Sequence, residues 1–237
     1  MVSIIRDTMF SFTIKNSDFL NEFYSLFKDY LNKSYKYSMT FLSNPLLSEY
    51  NDNERLVLIV LNKSVYQNML SFLKLNDNNM QFASLSCLEN AVNTIRLYNV
   101  LVHADTNLHS FITEDVFSLE ECENKISEET KEYKENFEEE FSLKEFSLAL
   151  HKLNSFEYKN TVFSSQINDG NIYLGLACGV DLSDSLQDEV RKNLIGAYLS
   201  LQKHTKMFFN GGVDESFEET EDKIYQKFLE YIKIYSK

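Results

Sequence analysis

Three charged or titratable side chains recur along residues 79–103 at a spacing that would align them on one side of a helix. Glu89, Arg96 and His103 follow one another at seven-residue intervals, and seven residues return an α-helix to nearly the same angle. Asn93 and Asn99 fall between them on the same side. We call these five residues the polar stripe. They would spread a carboxylate, a guanidinium and an imidazole over about 20 Å of helix.

The side-chain types of the polar stripe suit chemistry on a phosphate group. An imidazole changes charge near neutral pH and can give or take a proton. A guanidinium offers a planar fork of donors that matches phosphate oxygens and stabilises developing negative charge. Because Arg96 and His103 would lie two turns apart on one side, both could reach one phosphodiester. The competing interpretation is structural: Glu89 and Arg96 would belong to a polar network that fixes how the helices pair.

Two long helices are expected to position the polar stripe. Apolar residues of its own segment recur at three- and four-residue steps, which predicts a core-facing side. These residues are Leu85, Leu88, Val92, Ile95 and Val102. A four-residue polar loop separates this helix from an apolar segment before it, so the sequence favours an antiparallel αα-hairpin of about 54–75 and 80–103. Arg55, near the start of the first helix, would then lie close to His103.

Further helices are predicted around this hairpin. A capped helix is expected over about 18–33, followed by a connection over 34–52 that contains the only proline. Asn53 is expected to cap the helix that follows. Amphipathic periods predict the remaining helices at about 141–157, 184–209 and 217–235. The last of these carries an aromatic stripe that we expect to dock on the body of the protein.

The composition favours a mainly α fold with one small β element. The chain has only 6 Gly and 1 Pro among 237 residues, so it has few of the residues that punctuate β-rich folds. Asp169-Gly170 lies between two β-prone segments and predicts a small β-hairpin near 161–178. We therefore predict a single helical domain over 1–237, a helical bundle built on the long antiparallel αα-hairpin.

The net charge of −13 is concentrated in two segments. One is an acidic surface segment at 113–140, and the other is the acidic link and helix at 211–237. This charge disfavours DNA and non-specific nucleic-acid binding, but a small RNA site on the nearly neutral remainder stays open. Two interpretations of the first segment also stay open. It is either a solvated helix or an intramolecular decoy that covers a basic RNA site.

Cysteine usage and hydropathy indicate the cellular compartment in which the protein is expected. The three cysteines are scattered and form no CxxC pair, which argues for a reducing compartment and against a structural zinc. We find no pattern typical of a signal peptide. The longest aliphatic run, 56–61, is far shorter than the roughly 20 residues of a membrane span. We therefore expect a cytoplasmic protein with no membrane association, no metal and no cofactor. His204 is expected to interact with a helix C-terminus rather than with a ligand.

The segment Arg96-Leu-Tyr-Asn-Val-Leu-Val-His103 resembles the Arg-x(4–6)-His motif of the HEPN superfamily of helical nucleases. Many of these belong to toxin–antitoxin, abortive-infection and other antiphage systems, and the predicted hairpin is similar to their core. The resemblance implies metal-independent RNA cleavage across a symmetric homodimer, with attack by the 2′-hydroxyl of the substrate. It also implies an antitoxin or another partner protein. Leu97 departs from the polar residue that often follows the arginine, and the spacing is at the long limit.

A second similarity is to uncharacterised bacterial all-helical families. In these, an Ala/Leu-rich helix that carries a glutamate precedes a Ser-x-x-x-His segment. The corresponding residues here are Glu89, within 83–98, and the pair Ser147 and His151. Ser147, His151 and Arg55 are therefore secondary site candidates.

Two functions follow from these patterns. One is a HEPN-like ribonuclease with Arg96 and His103 at its site, together with Glu89 and Asn99. The other is a non-catalytic helical scaffold or protein-interaction module in which the polar stripe is structural. A nuclease requires Arg96 and His103 exposed in a cleft or at a dimer interface. A scaffold would bury them and pair Glu89 with Arg96.

Overall fold

The structure, a computed structural model, describes residues 17–44, 50–77, 80–103, 105–113, 117–129, 141–155, 184–208 and 215–235. Within these residues the chain forms eight α-helices and no strand, so the fold is mainly α. The helices are α1 (Ser17–Leu42), α2 (Asp52–Asp77), α3 (Gln81–His103), α4 (Asp105–Thr113), α5 (Leu119–Glu129), α6 (Leu143–Asn154), α7 (Asp184–Lys206) and α8 (Glu215–Tyr235). The β-hairpin predicted near 161–178 lies outside the described residues.

Helices α2 and α3 make the most extensive helix–helix contact among the described elements. Near the connection between them, the Ser84 hydroxyl donates to the Phe72 carbonyl at 2.9 Å. At the opposite ends, Leu58 and Leu101 share an apolar cluster. The core-facing side predicted for α3 is confirmed at four of its five residues, since Leu85, Leu88, Val92 and Ile95 are fully buried. The fifth, Val102, is half-buried.

The start of α2 is capped by Asn51. The Asn51 side-chain oxygen accepts from the backbone N–H groups of Asn53 and Glu54, both at 3.0 Å. In return, the Glu54 carboxylate accepts from the Asn51 N–H at 2.9 Å. This is the reciprocal arrangement of a capping box. The prediction that Asn53 caps the helix was therefore wrong by two residues, because only Asn51 has a glutamate three residues later.

Helix α1 continues to Leu42, so the connection predicted over 34–52 was wrong for its first nine residues. Two serines at 34 and 38 give this stretch a polar appearance in the sequence, yet both are fully buried. The Ser38 hydroxyl donates to the Tyr35 carbonyl at 3.0 Å and accepts from the Asn62 amide of α2 at the same distance. These small side chains therefore form a contact surface between helices rather than a loop.

The main core surrounds Tyr198 of α7. Aromatic rings from α1 and α8 contact the Tyr198 ring with centroid distances of 5.7–6.4 Å. These rings belong to Phe23, Phe27, Tyr30 and Phe228. The apolar side of α8 is buried at Phe217, Ile224 and Phe228, so the last helix docks on the body as its aromatic stripe predicted.

Helix α6 lies close to α7 at a glycine. A Cβ atom at Gly196 would lie 2.3 Å from Phe146 Cζ, a distance that real contacts do not reach, so only glycine fits without a shift. Phe146 is thereby inserted into the core at 5% exposure. Because consecutive helical residues point about 100° apart, the next residue, Ser147, is directed toward α3.

Helix α2 is long and apolar enough to cross a membrane by length and composition alone. The core helix of a soluble protein meets the same criteria, and α2 packs against both α1 and α3. The six-residue aliphatic run in the sequence did not reveal this property, because the apolar residues of α2 are spread along 26 positions with polar residues among them.

Candidate functional site

Arg96 of α3 is bonded at both ends of its guanidinium fork to Glu123 of α5. Its Nε donates to Glu123 Oε1 at 2.8 Å, and its Nη2 donates to Oε2 at 2.6 Å. The two side chains are only 13% and 16% exposed. A bidentate arginine–carboxylate pair of this kind is among the stronger ion pairs in proteins. It connects residues 27 positions apart in the sequence.

The third nitrogen of Arg96 is bonded to α3 and α6. Its Nη1 donates to Asn93 Oδ1 and to Ser147 Oγ, both at 3.1 Å. The Ser147 hydroxyl in turn donates to Asn93 Oδ1 at 2.6 Å, and Ser147 is only 4% exposed. All three guanidinium nitrogens therefore have partners within the protein, and these partners join α3, α5 and α6.

Glu89 is bonded to the C-terminal half of α6. Its Oε1 lies 2.9 Å from His151 Nδ1, and its Oε2 accepts from the Asn154 amide at 2.7 Å. His151 is 77% exposed. The pairing of Glu89 with Arg96, expected for a scaffold, was therefore wrong. Seven residues separate them by about 10 Å along the helix axis, which is too far for a direct bond.

A cavity of about 330 Å³ lies between α3, α5 and the start of α6. Its polar lining includes Arg96, Asn99 and His103 from α3, Glu123 from α5 and Lys144 from α6. Ile126 and Leu143 contribute apolar walls. His103 is exposed at this cavity, and the Asn99 Oδ1 atom is buried without a hydrogen-bond partner. The cavity can therefore hold a polar group. The Asn99 oxygen would accept from a donor on that group, and Lys144 and His103 can donate to its acceptors.

The structure separates the predicted site residues into two groups. Arg96, Asn99 and His103 line one cavity. Glu89 lies outside the residues that line it and contacts the secondary candidate His151. Ser147, the other half of that Ser-x-x-x-His segment, contacts Arg96.

The remaining candidate, Arg55, lies in the first turn of α2 and does not line this cavity. Its position beside His103 stays a prediction.

Two residues of this site were missed in the sequence. Glu123 lies in the acidic segment, where the sequence does not distinguish it from the neighbouring glutamates. Lys144 Nζ lies 3.3 Å from Asn124 Oδ1 and 3.6 Å from Glu120 Oε1, so it also attaches α5. The signal in the sequence was the concentration of carboxylates at 113–140, which favours contacts with basic side chains elsewhere in the chain.

His204, near the end of α7, lies in the core. It is fully buried among Tyr66, Tyr98 and Phe208, and its Nε2 lies 2.9 Å from Asn62 Oδ1. Burial lowers the pKa of His204 to about 3. The imidazole is therefore neutral near pH 7. His204 does lie in the last turn of α7, as predicted. It is not a cation there, because its side of the helix is buried, whereas Lys206 in the same turn is exposed.

No group of three or more His, Cys, Asp or Glu side chains within the described residues is placed to hold a metal ion. No family model, curated protein or solved structure matches the chain. The functional argument therefore depends on the contacts of the polar stripe and on the cavity beside it.

Proposed function

We propose that the protein is a non-catalytic helical scaffold or protein-interaction module, a bundle built on the antiparallel hairpin of α2 and α3. In this proposal the polar stripe holds α5 and α6 against α3. The observation that carries it is that all three guanidinium nitrogens of Arg96 are bonded within the protein, to Glu123, Asn93 and Ser147. Through these bonds one side chain connects α3, α5 and α6 when no ligand is bound.

The energetics support a structural role for Arg96. Hydrogen bonds to charged groups contribute about 1.5–3 kcal/mol each, and removing one partner of a buried pair leaves the other charge uncompensated. Arg96 and Glu123 are mostly buried, so loss of the arginine should destabilise the fold.

One observation favours a second candidate, a HEPN-like metal-independent ribonuclease of a defence or toxin system. His103 is exposed at the same cavity that Arg96 lines. For this candidate we would expect an RNA substrate, a homodimer, an antitoxin or other partner protein, and a cytoplasmic location. In it, Arg96 must leave Glu123 before it can bind a phosphodiester.

One experiment separates the two candidates. The wild type, Arg96→Ala and His103→Ala are incubated with a mixed structured RNA in excess EDTA, and the thermal unfolding of each protein is followed in parallel. For a scaffold we expect no cleavage by any of the three. We also expect Arg96→Ala to lower the free energy of unfolding by about 2 kcal/mol or more, and exposed His103→Ala to change it by less than about 0.5 kcal/mol.

RNA cleavage by the wild type, lost in both folded variants, would reject the scaffold and establish the ribonuclease. An Arg96→Ala protein as stable as the wild type would contradict the structural role of the polar stripe.

A further inference from the structure

Helix α5 is attached to the bundle in a different way from its neighbours. None of its residues from 119 to 126 is fully buried, and neither apolar cluster of the described residues includes a side chain of α5. The polar contacts are specific instead. Glu123 binds Arg96, while Glu120 and Asn124 contact Lys144. Two cations therefore contact this helix, the mostly buried Arg96 of α3 and the partly exposed Lys144 of α6.

The Glu123 carboxylate occupies a position suited to a phosphate group. The arginine fork binds carboxylate and phosphate oxygens with the same bidentate geometry. Lys144 and His103 line the same cavity, and both can donate to an anion. The cavity volume of about 330 Å³ is well above the roughly 10–15 Å³ that a cavity needs to hold one water molecule, so an anion larger than a carboxylate can enter.

We propose that this cavity binds a phosphate group in exchange for the Glu123 carboxylate, and that binding releases α5 from α3. The ligand class is a phosphate monoester. The inference goes beyond the scaffold role and requires no RNA cleavage. The Arg96–Glu123 contact stabilises the bundle when no ligand is bound, and it is the contact that the ligand replaces.

Charge explains why the exchange would move the helix. A phosphate monoester carries more negative charge than one carboxylate near neutral pH, so it competes for both Arg96 and Lys144. Once the phosphate is bound, Glu120 and Glu123 face a like charge instead of their former partners. At residues 119–126, α5 has no fully buried side chain whose burial would oppose its release.

Cys122 provides a direct measure of release. It lies on α5 beside Glu123 and is half-buried. In a full-length protein that carries Cys87→Ser and Cys178→Ser, the rate of Cys122 modification by a thiol reagent reports the exposure of this helix. We expect saturating inorganic phosphate to raise that rate about tenfold over chloride at equal ionic strength, as a shift of 1.4 kcal/mol would.

Two glutamine variants of α5 test the exchange with the same change of charge. Glu123→Gln removes the competing carboxylate, so we expect faster Cys122 modification without phosphate and phosphate binding about tenfold tighter than in the wild type. Glu121→Gln is the matched control, because Glu121 is exposed on the same helix and should leave both quantities unchanged. A folded Glu123→Gln protein that behaves like Glu121→Gln would overturn the proposal.

Inorganic phosphate, a 5′-mononucleotide and a short single-stranded RNA distinguish the sources of the ligand. Each is compared with chloride in the same Cys122 assay, and circular dichroism checks the fold of every variant. If Glu123→Gln does not fold, the protein with the wild-type α5 still tests the proposal. No acceleration of Cys122 modification by any of the three probes would overturn it. Acceleration that is weakened by Lys144→Gln would support it. RNA cleavage is not measured in this assay, so failure here is distinct from failure of the scaffold proposal.

Discussion

Helix α3 makes two kinds of contact along its length. On one side, apolar residues such as Leu88 and Val92 are buried in the main cluster with residues of α2 and α7. On another side, Glu89 and Arg96 form directed hydrogen bonds and ion pairs with α6 and α5. Apolar burial is non-directional and roughly proportional to area, whereas each polar bond requires particular partners. We infer that the apolar side supplies most of the stability and that the polar side determines which surfaces of α5 and α6 are bound.

The largest effect is expected on the apolar side. Leu88→Ala should lower the free energy of unfolding by about 3 kcal/mol, because it removes a fully buried side chain and leaves a cavity. Urea unfolding followed by circular dichroism measures this loss. Leu148→Ala on α6 is the control, since Leu148 is 60% exposed and should change stability by less than about 0.5 kcal/mol. Equal losses of unfolding free energy in the two variants would contradict the inference that stability comes mostly from the buried apolar side.

An intermediate, pH-dependent effect is expected at the one histidine in the apolar interior. The pKa of His204 is lowered by burial to about 3, whereas an unfolded histidine titrates near 6.5. The unfolded chain therefore binds more protons between these values, and the contribution to stability is complete above about pH 6.5 and is lost as the pH falls toward 3. From pH 7.5 to pH 5 the loss should reach about 2 kcal/mol.

Comparison with His204→Gln isolates this contribution, because the difference between the two pH profiles removes the titration of shared carboxylates. We expect the wild type to lose more stability than the variant across the window. His103→Gln is the matched substitution, because it replaces an exposed histidine and the loss attributed to burial of His204 should persist in it. Parallel wild-type and His204→Gln profiles would show that the buried imidazole does not titrate this way.

The smallest effect is expected at the exposed end of the polar side. His151→Ala should change the free energy of unfolding by less than about 0.5 kcal/mol, because His151 is 77% exposed and exposed ion pairs contribute little. Glu89 also keeps its bond from Asn154. Thermal unfolding at neutral pH measures the change. A loss as large as that of Leu88→Ala would mean that the polar side contributes as much stability as the apolar side.

Periodicity made the helical fold predictable to a useful degree. The core-facing residues of α3 could be assigned because apolar side chains recur every three or four positions. The C-terminal part of α1 could not, because Ser34 and Ser38 are polar in the sequence but fully buried in the fold. Ser38 accepts from Asn62 of another helix, a contact that only the folded protein provides. Local polarity in the sequence therefore misplaced the end of that helix.

Only part of the candidate site could be predicted from the sequence. The spacing of Arg96 and His103 predicted a shared location, and both line one cavity. Their partners come from elements distant in sequence, such as Glu123 and Ser147, and no local pattern encodes such pairing. The seven-residue spacing also suggested a Glu89–Arg96 contact, although the same spacing sets them about 10 Å apart along the axis.

The aromatic core around α7 also gives the protein an optical signal of its own. The sequence contains 14 Tyr and no Trp, so near-ultraviolet absorbance is dominated by phenol rings. Burial raises the pKa of Tyr66 to about 12 and raises the pKa values of Tyr30, Tyr98 and Tyr198 as well. Surface phenols ionise near pH 10, whereas these four stay protonated until water reaches them. Tyrosinate absorbance in alkali therefore records opening of the core without any added label.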